Sequence, residues 1–425
     1  MFKSRLFYNI GLWLLLPYVF LYLVWRSFKQ PEYLKHIGER FGFYRASPGK
    51  PVIWLHTVSV GETRAAATLV QRLLKEYPGH QLLLTHTTPT GRAASEQLFG
   101  SNVLRVYLPY DYPFAVARFL RHFRPAIGML METEIWLNVI TRCHSANIPL
   151  LLLNARLSEK SATGYARFPN LTRTCLEQLA SIAAQTEADA SRLKNLGAPH
   201  VSVMGNLKFD IQPPETMLHL GKQLRELFGH SRKVFLAAST RDGEEALLLD
   251  ALANCNVPGL LTVIVPRHPQ RFNEVAALIE KRGLLLQRRS ENRTIAPETQ
   301  VVLGDSMGEM FAYYAACDLA FIGGSLLPFG GQNLIEACSV GKPVLIGPHT
   351  YNFEQASILA VSEGAALRLT AADELPAQLQ RLFAHPEELG RMSQAGNRFV
   401  AAHRGATEVA LETVRRYLLP NKKSG

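Results

Sequence analysis

At 425 residues, 47% of them hydrophobic and 19% charged, the chain is long enough for two α/β domains with full cores. A net charge of +11 selects anionic partners: nucleic acid, a phosphorylated substrate or an acidic membrane surface. The five cysteines, Cys143, Cys175, Cys255, Cys317 and Cys338, form no CxxC or zinc pattern, which argues against a disulfide scaffold and for reduced thiols in the cytosol.

Leu6–Trp25 is a nearly unbroken apolar run without a charge. A helix of that length spans about 30 Å, the thickness of a bilayer core. Lys3 and Arg5 precede the run, and Arg26, Lys29, Lys35 and Arg40 follow it. With aromatic residues near both ends and no small-residue cleavage site after it, the run reads as a retained membrane anchor over residues 1–30. Asn9, Gly11 and the helix-kinking Pro17 leave open a helix that dips into the bilayer without crossing it.

Beyond the anchor, short apolar runs alternate with helical patterns. Strands are predicted at 51–57, 81–87, 103–107, 126–131 and 149–153, with 181–185 and 201–203 closing a first domain over 31–210. Helices are predicted between them at 63–75, 91–98, 113–122 and 134–144. A Pro213-Pro214 break separates this domain from a second, over 211–390. There the pattern predicts strands at 233–238, 261–265, 301–303, 319–322 and 343–346. Helices follow at 243–253, 270–281, 308–316 and 333–339. Residues 371–383 and 386–418 read as long polar-faced helices, and 391–425 as a terminal helix with a basic Lys422-Lys423 tail. Regular βαβα alternation implies two parallel, doubly wound sheets, each covered on both faces. Ligands bind off the carboxyl ends of such strands, so two domains facing one another leave a cleft where the loops converge.

Residues that can carry chemistry fall on those loops. Gly323-Gly324 and Gly330-Gly331 lie between a strand and the helix start at Asn333. Glycine leaves room for close approach, and a helix start suits phosphate. Glu336 stands one turn further on, within reach of a neighbouring hydroxyl such as a ribose. Pro266-Arg267-His268-Pro269 places Arg267 after another strand, as a fork for phosphate oxygens. Met307-Gly308-Glu309 and Ser239-Thr240 open further helices. In the first domain Glu62 begins a helix after a strand, either as a general base or as a carboxylate complementing the helix dipole. A free Glu, with pKa about 4.3, is ionised at neutral pH. Met131-Glu132-Thr133-Glu134 adds paired carboxylates that bind metal, orient a substrate or cap the next helix. Lys208, beside the domain break, can offset charge on a departing phosphate. Without DxD or HExxH, no catalytic metal is expected.

Seven motifs in order, HTVSVGE (56–62), METE (131–134), NARLSEKS (154–161), GNLKFD (205–210), PRHPQRF (266–272), MGEM (307–310) and GGQNLIEA (330–337), resemble those of the 3-deoxy-D-manno-octulosonic acid (Kdo) transferases, and the resemblance covers the chain from anchor to last helices. It implies an inverting, metal-independent GT-B glycosyltransferase at the bacterial inner membrane, with its catalytic domains on the cytoplasmic side. The enzyme would need no cofactor and would move Kdo from CMP-Kdo to the 6′-hydroxyl of lipid IVA. By the family's pattern Glu62 is the base, while Glu132 and Lys208 stabilise the transition state. Pro266, Arg267, His268, Met307, Gly308, Glu309, Asn333, Leu334, Ile335 and Glu336 hold CMP. Arg241 stands where the family carries His. Two other readings fit the charge and the anchor: a membrane-associated GT-B transferase using a UDP-sugar, and a basic membrane scaffold without catalysis. Nucleic acid is disfavoured by the absence of interleaved aromatic and basic residues.

Overall fold

The structure is a computed structural model that describes residues 2–418, so the Lys422-Lys423 tail lies outside the described residues. The chain divides into two compact units. One holds the residues up to Asp210 together with the segment from Arg404 onward, and the other holds Ile211–His403.

The first unit is built on seven parallel strands: β1 (Val52–His56), β2 (Gln81–His86), β3 (Leu104–Tyr107), β4 (Pro125–Met131), β5 (Leu150–Ala155), β6 (Ser181–Ala184) and β7 (Val201–Val203). Their order is β3-β2-β1-β4-β5-β6-β7, so the chain reverses its direction of travel across the sheet between β1 and β4. Every residue of β1 is buried. Val52 and Trp54 enter one apolar cluster and Ile53 and Leu55 another, as the period of two requires of a strand covered on both faces.

The second unit repeats the plan with β8 (Lys233–Thr240), β9 (Leu260–Pro266), β10 (Leu286–Arg288), β11 (Val301–Leu303), β12 (Leu319–Ile322), β13 (Val344–Ile346) and β14 (Ala366–Arg368). The order is β10-β11-β9-β8-β12-β13-β14, all parallel, with the reversal between β8 and β12. Ligand crevices of doubly wound sheets open at such reversals, beyond the carboxyl ends of the two strands concerned.

Several predicted elements differ from those observed. The helix expected over 63–75 is two helices, Val60–Ala65 and Ala67–Glu76, joined at Ala66. The helix expected from Glu134 begins at Leu137, because Asp111 rather than Glu134 satisfies its first N–H groups. The helix expected over 386–418 breaks at Gly405, whose φ of 116° no helix accommodates. Its first half, Pro386–His403, stays with the second unit. The second half, Ala406–Leu418, returns to the first and inserts Ala406, Ala410, Leu411 and Val414 beneath the sheet, so 391–425 is not one piece.

Candidate active site

At the first reversal, β1 ends at His56 and the chain turns into the helix Val60–Ala65. Ser59 and Glu62 form a reciprocal cap there. Ser59 Oγ accepts the Glu62 N–H at 3.4 Å, while Glu62 Oε2 accepts the Val58 N–H at 2.7 Å. Glu62 therefore caps its own helix by hydrogen bonding, and this coexists with an unusual proton affinity. Burial, then the negative charge of Glu132, pushes the Glu62 carboxyl up to about 8. A free Glu is ionised at neutral pH; burial in this site raises the basicity of the carboxyl above that of a free one. A group at that value is about one-tenth ionised at pH 7.

β4 ends alongside β1, and Glu132 follows it in the left-handed region with φ 57°. Its N–H donates to the Leu153 carbonyl at 3.0 Å, so β5 holds this strained residue in place. Glu134 accepts the Trp136 indole N–H at 2.6 Å. Its oxygen lies 3.9 Å from His56 Nε2, but burial pushes His56 down to about 3, so the ring is neutral and the contact is not an ion pair. Glu132 and Glu134 both raise the proton affinity of Glu62, and Glu132 adds to the effect of burial on Glu134, which places three carboxyl groups at one strand reversal.

Lys208 belongs to the same unit. Its short turn, Leu207–Asp210, packs against the helix that carries Glu62. Asn154, at the end of β5, accepts the Leu207 N–H at 3.1 Å and so fixes where that turn lies. Residue-by-residue reasoning passed over Asn154 and His56. Their signal was a polar residue inside an otherwise apolar strand, which is costly unless it is hydrogen-bonded.

In the second unit the reversal brings the loop after β8 against the loop after β12. Glu244, fully buried, accepts the N–H groups of Arg241, Gly324 and Leu326 at 2.9, 2.5 and 2.9 Å. This one carboxylate sets the shape of both loops. Glu245, also fully buried, accepts Thr240 Oγ1 and an Arg271 N–H, each at 2.7 Å. Sequence reasoning assigned neither residue a role of its own.

One glycine of each pair is required by the fold itself. A Cβ on Gly323 would stand 2.5 Å from the Ser239 carbonyl oxygen, and one on Gly330 would stand 2.4 Å from the Tyr351 ring. Both make room for the protein's own chain. Asn333 caps the following helix, its Oδ1 accepting the Ile335 N–H at 3.1 Å and its Nδ2 donating to Glu336 at 3.2 Å. Leu334 and Ile335 are buried, so at those positions only the backbone is available to a ligand.

Pro266 ends β9, and the Arg267 N–H donates to the Thr240 carbonyl at 2.9 Å, fixing Arg267 beside the β8 loop. Exposed His268 is pushed down by partial burial and then by Arg241, Arg267 and Arg271, so three guanidinium groups crowd one place. The Arg241 guanidinium lies 4.7 Å over the Phe329 ring. Met307 and Gly308 are exposed, and Glu309 binds Arg289 at 3.2 Å and Ser306 at 2.7 Å. The structure thus gathers Glu62, Glu132 and Lys208 in the first unit and Pro266, Arg267 and His268 with Arg241 in the second. Among the described residues no group of three or more His, Cys, Asp or Glu has a metal-binding arrangement.

The family model of 3-deoxy-D-manno-octulosonic-acid transferase matches residues 35–211. A 3-deoxy-D-manno-octulosonic acid transferase of Bordetella pertussis is 40% identical over 97% of this chain and 99% of its own length. One from Haemophilus influenzae is 36% identical over 98% and 99%. Among solved structures, a glycosyltransferase from Rickettsia africae ESF-5 shares the fold with a TM-score of 0.58 at 15% identity, over 88% of this chain and all of that one. With GT-B architecture in its two sheets and this identity along nearly its whole length, the chain belongs to the 3-deoxy-D-manno-octulosonic acid transferase family and is a Kdo-transferring glycosyltransferase.

Proposed function

We propose that the donor is CMP-Kdo and the acceptor the 6′-hydroxyl of lipid IVA, with inversion at the sugar and without a metal. The observation that carries this reading is Glu62, a carboxyl at the β1–β4 reversal whose proton affinity burial and Glu132 raise to about 8. A general base works best when its pKa lies near the working pH, and a carboxyl at its ordinary value takes a hydroxyl proton poorly.

The acceptor hydroxyl loses its proton to Glu62 as its oxygen bonds to the anomeric carbon. The bond from that carbon to the phosphate oxygen breaks, and CMP leaves carrying the electron pair. Lys208 and Glu132 stabilise charge as it develops. Arg267, with Arg241 and Arg271 close by, meets the charge of the leaving phosphate. His268 stays neutral there and can donate a hydrogen bond. Pro266, Met307, Gly308, Glu309 and Asn333–Glu336 complete the cytidylate site. Guanidinium charge takes the place that a divalent cation has in other transferases, so neither metal nor cofactor is required. Five widely spaced cysteines without a CxxC or zinc pattern support a cytoplasmic-facing body at the inner membrane.

The test is to incubate the purified full chain with lipid IVA and freshly generated CMP-Kdo and to take product masses. Addition of Kdo to lipid IVA, unchanged by a chelator and inhibited by CMP, is the expected result. No product, product only with a UDP-sugar, or loss of product on chelation overturns the corresponding part of the proposal.

A further inference from the structure

The N-terminal helix, Phe2–Lys29, is long and apolar enough to cross a bilayer by length and composition. Its contacts with the first unit point elsewhere. Near its start, Tyr8 donates to Asp111 at 2.8 Å, and Asn9 Oδ1 accepts Asn138 Nδ2 at 2.8 Å. The Leu12 carbonyl accepts the Tyr112 hydroxyl at 2.8 Å, and the Trp13 ring lies against Tyr112 and Phe114. Near its end, Phe20 lies against Phe41, Leu23 is 2% exposed, and Arg26 donates to the Tyr33 hydroxyl at 3.2 Å.

At 100° per residue these docked positions fall within an arc of about 140°, and they stretch over roughly 27 Å of helix. That is close to the whole hydrocarbon thickness. Leu14, Leu21 and Phe28, at 77%, 70% and 82% exposure, lie on the opposite arc with Phe7, Tyr18 and Trp25. A helix tied at both ends to one face of a water-soluble domain cannot cross a membrane unless that face enters the hydrocarbon too. The tie includes Asp111, a buried carboxylate, and Asn138, which hydrocarbon would penalise heavily.

We propose that this helix lies in the plane of one leaflet, with its outward arc among the lipids and the first unit resting on the headgroups. The occupant of the exposed arc is an anionic phospholipid surface. The arc is apolar and aromatic, and basic Arg5, Arg26 and Lys35 flank it on a chain of net charge +11. The inference stands independently of donor and acceptor identity.

Trp13 and Trp25 report depth directly. Full-length W25F leaves Trp13 as the helix's fluorophore, W13F leaves Trp25, and the double variant supplies the baseline from Trp54 and Trp136. Each is bound to phosphatidylcholine–phosphatidylglycerol vesicles whose lipids are brominated near the headgroup or near the chain ends. Both tryptophans should be quenched at least twofold more by the shallow bromines, and an N-terminal tag should be digested from the same side as the body. Stronger quenching of Trp13 by deep bromines, or a protected tag, shows a crossing helix and overturns the proposal. Absence of quenching at both positions shows the arc covered by protein, a second copy included, and overturns it as well.

Discussion

Glu62 holds the backbone N–H of Val58 at 2.7 Å, so the carboxyl proposed to take the acceptor's proton also closes the first turn of its own helix. The two roles separate on substitution. Glutamine keeps an oxygen for Val58 but cannot accept a proton. E62Q should therefore fold normally by circular dichroism and retain CMP binding, while its rate falls by on the order of 10²–10⁴. Turnover within tenfold of the unaltered enzyme would remove Glu62 from the base role.

The raised proton affinity of Glu62 fixes the sign of two pH responses. For catalysis the free enzyme must lose that proton, so kcat/KM should climb with pH and level off above about 8. For stability, a carboxyl whose folded pKa lies above its unfolded value favours folding while it is protonated. That contribution is present in full below about pH 4.5 and is lost as pH rises to about 8. The Tm of the unaltered protein should consequently fall relative to E62Q between pH 5 and pH 9. A constant difference across that range would mean the carboxyl is not raised.

Glu245, fully buried, is held at 2.7 Å by the partly buried Arg271, with the Thr240 hydroxyl on the same oxygen, while Arg271 also reaches Glu274 at 3.1 Å. Removing Arg271 leaves the buried Glu245 charge uncompensated, at a cost of roughly 3–5 kcal/mol. R271M should unfold at markedly lower denaturant concentration and weaken CMP binding by loosening the Thr240–Arg267 turn. E245Q should restore much of the stability to R271M, because it removes the orphaned charge, without restoring CMP affinity. Chemical denaturation and calorimetric titration measure the two effects separately.

Gly128 sits in β4 where a Cβ would stand 2.7 Å from both Trp54 and Leu150. G128A should destabilise the first unit by about 1–3 kcal/mol through overpacking. The added methyl pushes on Trp54, whose indole donates to Thr85, the residue that also holds His56. Activity should thus fall as well, and a W54F/G128A pair should recover part of the stability lost in G128A alone.

The central strands were readable because each is a short, continuous apolar run, the mark of burial on both faces: β1, β4, β9 and β12 end within two residues of where composition places them. The edge strands β10 and β14 were not: each has three residues with one buried side chain, and neither carries the paired β-branched residues of Val201 and Val203 that marked the more exposed β7. Helices such as Glu159–Ala166 bury nothing, and their periodicity is correspondingly faint. Arg267 stood out because it follows a strand directly, and Glu62 and Asn333 because each stands where a helix opens after one. What shapes the second unit's loops did not: Glu244 acts on Gly324 and Leu326, about eighty positions away, and no local pattern encodes that reach.

The last helix has a consequence for genetics. Ala406–Leu418 belongs to the first unit, and the Asp210 carboxylate accepts N–H groups from Gly405, at 2.7 Å, and from Thr407. The second unit, Ile211–His403, is thus an uninterrupted insert within the first. A premature stop codon ahead of residue 404 would strip the lining from beneath the other sheet and unfasten Asp210, two positions from Lys208. The loss of about two dozen terminal codons should therefore disable the first unit, far away in the reading frame.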